Sequence, residues 1–343
     1  MTVTICLAPL KGVTDAIFRN TLHSVYDGID WAVAPFVSTV SALRIKSKYL
    51  RDLLPSNNTG MPIVPQLMSK SAADFRVMAN ALFDLGYAHI NWNLGCPYPM
   101  VAKKGRGAGM LPYPEKVDAF LDRVIPAIPN HLSIKMRLGW CRADDIFDLL
   151  PILNRYPLKH LIIHPRTGKQ MYIGRPDWTR FARCLGLSRH SVICNGDIVS
   201  VSDFAQLRDR FPKVETWMIG RGIVQDPCLP ALIKGRAPNG TQRFRSFHTF
   251  HDALLASYAD RLSGPSHLLN RMKCLWAYFQ NAFDQGRDIA KQVRKTRSLD
   301  HYRSVTNRFF DSSPVWRLKS TCLDRLEREN DGAIHRRRED RVT

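Results

Sequence analysis

Short apolar runs alternate with amphipathic stretches over the first 235 residues. The runs Thr4–Ala8, Trp31–Val37, Ile63–Leu67, Ala88–Asn93, Leu132–Arg137, His160–His164, Ser191–Asn195 and Thr216–Gly220 are strand-sized. They are nearly continuous in apolar character, as strands are when helices cover a parallel sheet. Helical spacing of apolar positions appears between them at Ala72–Leu85, Pro114–Ala127, Asp144–Tyr156 and Ser202–Phe211. Thr14-Asp15, Ser71 and Ser202-Asp203 are N-cap residue types at helix starts. Eight β-α units in this length predict an α/β fold, a (β/α)8 TIM barrel. The competing architecture, a doubly wound open sheet, would usually carry a glycine fingerprint after its first strand. Ala8-Pro9-Leu10-Lys11-Gly12 is not one.

The alternation stops at Gly235-Arg236-Ala237-Pro238-Asn239-Gly240, a linker composition. Helical patterns alone follow, at Phe247–Arg261, Ser266–Gln280, Asp288–Lys295, Ser298–Phe310 and near Val315–Leu326. The predicted organisation is therefore a catalytic barrel at 1–235 and a small all-α helical-bundle domain at 236–326. A basic tail at 327–343, containing Arg336-Arg337-Arg338, has almost no apolar content and is expected to be disordered.

Charge narrows the partner. Lys and Arg number 50 against 30 Asp and Glu, a net +20, which favours a polyanion. Between Arg271 and Arg308 nine basic residues face three Asp, with Trp276, Tyr278, Tyr302 and Phe309 interleaved. Such a segment suits RNA. An acidic membrane surface fits less well, because the charges lie in a segmented bundle rather than along one amphipathic helix. Eight cysteines without any Cys-x-x-Cys pair argue against zinc and against a disulfide framework. His248 and His251 read as a surface helix pair rather than metal ligands. No leader pattern and no apolar run of ~18 residues occur, so a cytoplasmic, membrane-free monomer is expected.

Polar residues collect where the predicted strands end, the catalytic face of such barrels. Cys96, set between Gly95 and Pro97 and followed by Gly105–Gly109, is either a thiol acid facing a cleft or one more buried small side chain. Gln66, Asn93, Lys135, Arg137, His164 and Arg166 sit at other strand ends. Lys135 would either pair with a carboxylate such as Asp197 or stabilise negative charge on a reduced flavin. Gly196, Gly220 and Gly222, with Arg221, occupy the loops that bind phosphate in many barrels.

Together these motifs resemble the tRNA-dihydrouridine synthases, with the C-type subfamily or a close relative as the branch. The match runs through Ala8–Asp15, Pro65-Gln66-Leu67, Asn93-x-Gly-Cys96-Pro97, Gly105–Gly109 and Ile134–Gly139. It continues through His164-Pro165-Arg166-Thr167, Asn195-Gly196-Asp197-Ile198 and Ile219–Gly222. The resemblance implies FMN at the barrel mouth, NADPH as reductant and tRNA as substrate, with no metal. In that family hydride reaches C6 of uracil from the reduced flavin while a cysteine, here Cys96, protonates C5. Asn93, Arg166 and Tyr172 match substrate positions. Ala8, Pro9, Leu10, Gln66, Lys135 and His164 match flavin positions, and Asn195, Gly196, Asp197, Gly220 and Arg221 the phosphate end. Arg271, Lys273, Lys291, Arg294, Lys295 and Arg297 are the tRNA-binding candidates of the helical domain. Three departures stand out: Leu10-Lys11 after Ala-Pro, Pro165 where Gly is usual, and Tyr98-Pro99-Met100 after Cys-Pro. Two other readings stay open, a flavin barrel acting on a free pyrimidine and an RNA-binding barrel without catalysis.

Overall fold

The computed structural model describes residues 3–39, 50–236 and 240–317. The chain forms two compact units. The first holds Met1–Ser24, Gly28–Gly196 and Phe211–Gly220; the second holds Val25–Asp27, Asp197–Arg210 and Arg221–Thr343.

The first unit is built on ten short strands, all paired in parallel: β1 Thr4–Leu7, β2 Trp31–Val33, β3 Val37–Ser38, β4 Ile63–Val64, β5 Gln66–Met68, β6 His89–Leu94, β7 His131–Gly139, β8 Leu161–Thr167, β9 Val192–Asn195 and β10 Thr216–Ile219. Their order is β3-β5-β6-β7-β8-β9-β10-β1-β2-β4. Pro65 alone separates β4 from β5, and Ala34-Pro35-Phe36 separates β2 from β3. Proline has no amide hydrogen, so the ladder lapses at these points while the chain runs on. Counted as continuous staves, the ten segments are eight. β4 pairs with β2 while β5 pairs with β3, so the two ends of the order join and the ring closes. The predicted barrel is what forms.

Each stave turns one face to a helix. Trp92 stacks on Phe120 at 4.0 Å and meets Phe75 edge-on, both rings belonging to helices, Ala72–Asp84 and Pro114–Val124. The opposite face of the ring packs Cys6, Ala8, Val33, Val64, Ile162, Ile193 and Met218 together. Helix starts are capped locally. The Asp74 amide donates to Ser71 Oγ, and the Phe18 amide to Asp15 Oδ1. The start signalled at Thr14-Asp15 opens helix Ala16–Val25, and helix Trp178–Leu187 is additional to those read from sequence.

The second unit is helical: Val201–Arg210, Arg221–Gln225, Gly240–Arg261, Pro265–Phe279, Gly286–Lys295 and Leu299–Asp311 are its main segments. Ser200, not Ser202, caps the first of these, accepting from the Asp203 amide at 3.0 Å. The unit's core is aromatic, with Phe247 edge-on to Phe279, Phe283 and Trp316. Trp276 and Tyr302 belong to this core and are not surface stacking platforms, and His251 is buried with them rather than lying on the surface. Tyr302 Oη accepts from Trp276 Nε1 at 2.9 Å and shares a 2.7 Å bond with His251 Nε2. Val315–Arg317 is not helical; Trp316 instead forms an isolated bridge with Phe283. The remainder of the expected last helix, and the tail at 327–343, lie outside the described residues. Among the described residues no helix is long and apolar enough to cross a membrane, and no cluster of His, Cys, Asp or Glu is placed to hold a metal.

Candidate active site

The chain leaves β6 at Leu94 and turns at once through Gly95 and Cys96. Asn93 shapes this turn: its Oδ1 accepts from the Gly95 amide at 3.0 Å and the Cys96 amide at 2.9 Å. Arg137 Nε holds the Gly95 carbonyl at 3.1 Å, and the Ala108 amide holds the Cys96 carbonyl at 3.1 Å. Gly107, at φ +56°, lies so close that a Cβ there would sit 2.8 Å from the same carbonyl oxygen. The glycine-rich loop is thus the back wall of the cysteine. Cys96 is half-buried, whereas Cys6, Cys184, Cys194 and Cys228 are buried. Burial pushes the Cys96 thiol above its ordinary value, with the Tyr98 amide and the charges of Arg137 and Lys135 pulling partly the other way. At neutral pH the sulfur therefore carries its proton, the form an acid needs.

Behind the turn runs a chain of amides inside the ring. Asn93 Nδ2 donates to Gln66 Oε1 at 2.7 Å, Gln66 Nε2 to Asn91 Oδ1 at 2.8 Å, and Asn91 Nδ2 to Ser133 Oγ at 2.8 Å. Ser133 Oγ donates on to the Ile90 carbonyl at 3.2 Å. Asn91 and Ser133 were not among the expected site residues, and Arg137 was noted only by its place at a strand end, with no role. Period-two alternation was the signal that would have found the first two, since they share a face with Asn93 and Lys135.

Ladder register places the remaining groups side by side: Gln66 lies opposite Asn91, Asn93 opposite Lys135, and Arg137 opposite His164. Burial, aggravated by the Arg137 charge, lowers Lys135 to about 7. No carboxylate pairs with it among the described residues. The expected alternative partner, Asp197, instead accepts from Arg221 Nη2 at 2.8 Å. Arg137 is buried and lowered to about 10, so it stays charged; it also donates to the Thr167 carbonyl at 2.7 Å and lies 5.3 Å from the Tyr172 ring. His164 Nε2 is 3.1 Å from Arg166 Nη1, and Arg166 Nη2 donates to the Gly174 carbonyl at 2.5 Å. Both are buried. Tyr172, 45% exposed, lies at the opening with its ring 6.3 Å from that of His164.

The expected phosphate end divides between the two units. In the first, the Ala8 amide donates to the Ile219 carbonyl, and the Leu10 amide to Thr14 Oγ1, which fixes the Ala8-Pro9-Leu10 turn. Asn195 Nδ2 donates to the Met218 carbonyl at 2.8 Å. A Cβ on Gly220 would lie 3.1 Å from Ala8 Cβ, and one on Gly196 only 2.4 Å from the Trp178 ring. Packing inside the protein is therefore enough to require Gly196, and it leaves little room for a side chain at Gly220. In the second unit, Asp197 orients Arg221.

Of the tRNA candidates, Lys291, Arg294, Lys295 and Arg297 are exposed at the end of helix Gly286–Lys295, and none makes an ion pair among the described residues. Lys273 is engaged, its Nζ donating to the Thr296 carbonyl at 2.6 Å. Arg271 lies 5.0 Å from the Tyr258 ring.

A closed parallel barrel whose strand ends gather a protonated thiol, a cation lacking a carboxylate partner and a polar relay defines an enzyme of the (β/α)8 class. The sequence matches the dihydrouridine synthase (Dus) family over residues 6–310, and the chain belongs to that family of oxidoreductases. A tRNA-dihydrouridine(16) synthase of Pseudomonas putida is 28% identical over 300 residues, 85% of this chain and 92% of that protein. The enzyme of the same name from Vibrio vulnificus is 27% identical over 316 residues, 87% and 97% of the two chains. A probable tRNA-dihydrouridine synthase of Rhodobacter capsulatus is 28% identical over 266 residues, 74% and 80%. Among solved structures, morphinone reductase aligns with a TM-score of 0.49 at 12% identity, covering 70% of this chain and 90% of that one.

Proposed function

We propose that this protein reduces the C5=C6 bond of uridine in tRNA, at position 16, with FMN in the barrel mouth and NADPH as electron source. The site fits such a group on one physical ground: Lys135, its pKa lowered by burial, has no carboxylate partner among the described residues, and an anionic ring would satisfy it. Gln66, Lys135 and His164 would line the flavin, and Ala8, Pro9, Leu10, Asn195, Gly196 and Gly220, with Asp197 and Arg221, its phosphate end. When bound, the flavin supplies the hydride that C6 accepts. Cys96 gives its proton to C5, and its raised thiol keeps that proton available through neutral pH. Arg137 and Asn93 hold the Cys96 turn; Arg166 and Tyr172, with the spare amide hydrogen of Asn93, face the base. A stacked uracil must be extruded to reach them, at a cost of about a few kcal/mol. The residues at 236–326 would act as the tRNA-gripping domain, with Arg271, Lys273, Lys291, Arg294, Lys295 and Arg297 on the phosphates, in a cytoplasmic monomer.

The observation that carries the reading is the half-buried Cys96 clamped at the rim by Asn93 and Arg137. Position 16 rests on the names of the relatives alone. The test is direct: NADPH-reduced, flavin-loaded protein is mixed with unmodified tRNA, orotate or uracil, and flavin reoxidation is followed. Reoxidation by tRNA alone, with dihydrouridine mapping to position 16, supports the proposal. Reoxidation by free pyrimidine would overturn it, and a protein that takes up no flavin would remove both enzyme readings.

A further inference from the structure

Outside the barrel mouth, a second feature of the first unit is built for an anion. A cavity of about 400 Å³ opens beside the loop that backs Cys96, lined by Lys70, Gly105, Tyr113, Lys116, Ala119 and Arg123, with Ala72, Met110 and Phe120 completing it. The lining holds three cations and no carboxylate. Lys70, Lys116 and Arg123 are exposed, and none makes an ion pair among the described residues. Like charges around one concavity repel, and an anion seated between them relieves that repulsion.

Local structure shows how the cavity is made. Lys116, Ala119, Phe120 and Arg123 are spaced i, i+3, i+4, i+7 on helix Pro114–Val124 and so share one face. Phe120 anchors that face on Trp92, while Ala119 leaves room between the two cations. Lys116 Nζ lies 3.9 Å from the Tyr113 ring centroid, which holds its ammonium at the wall. Ala72, across the cavity, is the first residue of helix Ala72–Asp84, whose N-terminal dipole adds positive potential. Gly105 and Met110 bracket the segment whose Gly107 and Ala108 support Cys96.

We infer that this cavity takes a backbone phosphate of the tRNA substrate. It would be a docking point on the catalytic unit, separate from the basic face of helix Gly286–Lys295. The inference rests on the functional reading above. A phosphate could also come from NADPH, and the test separates the two sources.

Two variants are measured as full-length protein by tRNA titration over a range of salt. Lys70→Gln/Lys116→Gln/Arg123→Gln removes the charge, and Ala119→Phe fills the cavity without changing any charge. The triple variant is expected to bind tRNA at least about ten-fold more weakly, with the salt slope reduced by about one for each lost phosphate contact. Ala119→Phe is expected to weaken tRNA binding several-fold, which a diffuse patch without a defined cavity would not show. An unchanged urea midpoint in both shows that the fold is intact. Parent-like tRNA affinity in both variants overturns the inference, as does a rise in the KM for NADPH with tRNA binding untouched. If the parent protein itself does not bind tRNA, the functional reading fails and the docking point with it.

Discussion

At the scale of single residues, the site is governed by two groups whose surroundings set their protons. Burial raises the Cys96 thiol above its ordinary value, so the protonated form dominates at neutral pH. The protonated form is the active one, so titration of Cys96 should impose no pH dependence on the chemical step near neutrality. The step should fall as pH rises through the raised thiol value. Cys96→Ala is expected to retain flavin absorbance while single-turnover dihydrouridine formation slows by about 10²–10⁴, the usual worth of a positioned acid. Full activity in that variant would remove Cys96 from the reaction. Lys135, lowered to about 7 by burial, has no carboxylate partner among the described residues. Negative charge on the reduced flavin would stabilise it, and the converse follows by linkage. Lys135→Met should therefore lower the flavin midpoint potential by about 30 mV or more, the equivalent of ~1.4 kcal/mol for two electrons. A potential identical to the parent's would place the ammonium away from the ring.

At the scale of elements, β6 and β7 do two jobs with one alternation. Trp92 packs outward against helices, while inside the ring Gln66 bonds with Asn91 and Asn93, and Asn91 bonds on to Ser133. Gln66→Leu would leave the Asn93 amide hydrogen and the Asn91 carbonyl unpartnered in a dry interior. Each costs roughly 1–3 kcal/mol. Urea unfolding should show the loss, and turnover should drop because Asn93 no longer has a fixed orientation for the Cys96 turn. Unaltered stability would mean that water repairs the relay. This relay was only half legible in the sequence. Gln66 and Asn93 sit at strand ends, where motif and position both mark them, but Asn91 and Ser133 interrupt runs that read as continuously apolar. The eight staves were legible because apolar continuity survives such interruptions. Their breakage at Pro35 and Pro65 was not, since an imide ends a hydrogen-bond ladder without changing hydropathy. In the helical unit, basic spacing picked out Lys291, Arg294, Lys295 and Arg297, which are exposed, whereas Trp276 and Tyr302 were misread because composition cannot tell a core aromatic from a stacking one. Reversing those four charges to Glu should weaken tRNA binding and flatten its salt dependence, with the urea midpoint unchanged. Parent-like binding would put the RNA elsewhere.

At the scale of the whole molecule, the closed ring fixes catalytic groups at one rim and leaves a titratable weakness at the other. His89 opens β6 and His160 immediately precedes β8, with their rings 5.1 Å apart and edge-on. Burial is the main cause that lowers His89 to about 3 and His160 to about 4; Lys159 adds to both, and His160 and His131 add to the lowering of His89. His89 Nε2 meets Ser133 Oγ at 2.8 Å, whereas His160 Nε2 is buried without a hydrogen-bond partner. Both histidines fold neutral. The unfolded chain takes up protons near pH 6.5 and the native ring does not, so stability is complete above that value and lost as pH falls below it. Each fully buried histidine contributes a slope of up to about 1.4 kcal/mol per pH unit between its unfolded and folded values, and half-buried His89 less. The net charge of +20 pushes the same way, because each added proton increases self-repulsion. The urea midpoint should thus fall steeply from pH 7 to pH 5. His160→Leu, which removes the unpartnered nitrogen and one titration, should be no less stable at pH 5 than the parent and show a visibly shallower slope. A parallel slope in the variant would remove His160 as a source of the acid sensitivity and leave it to His89 and to His251, which is also buried and lowered.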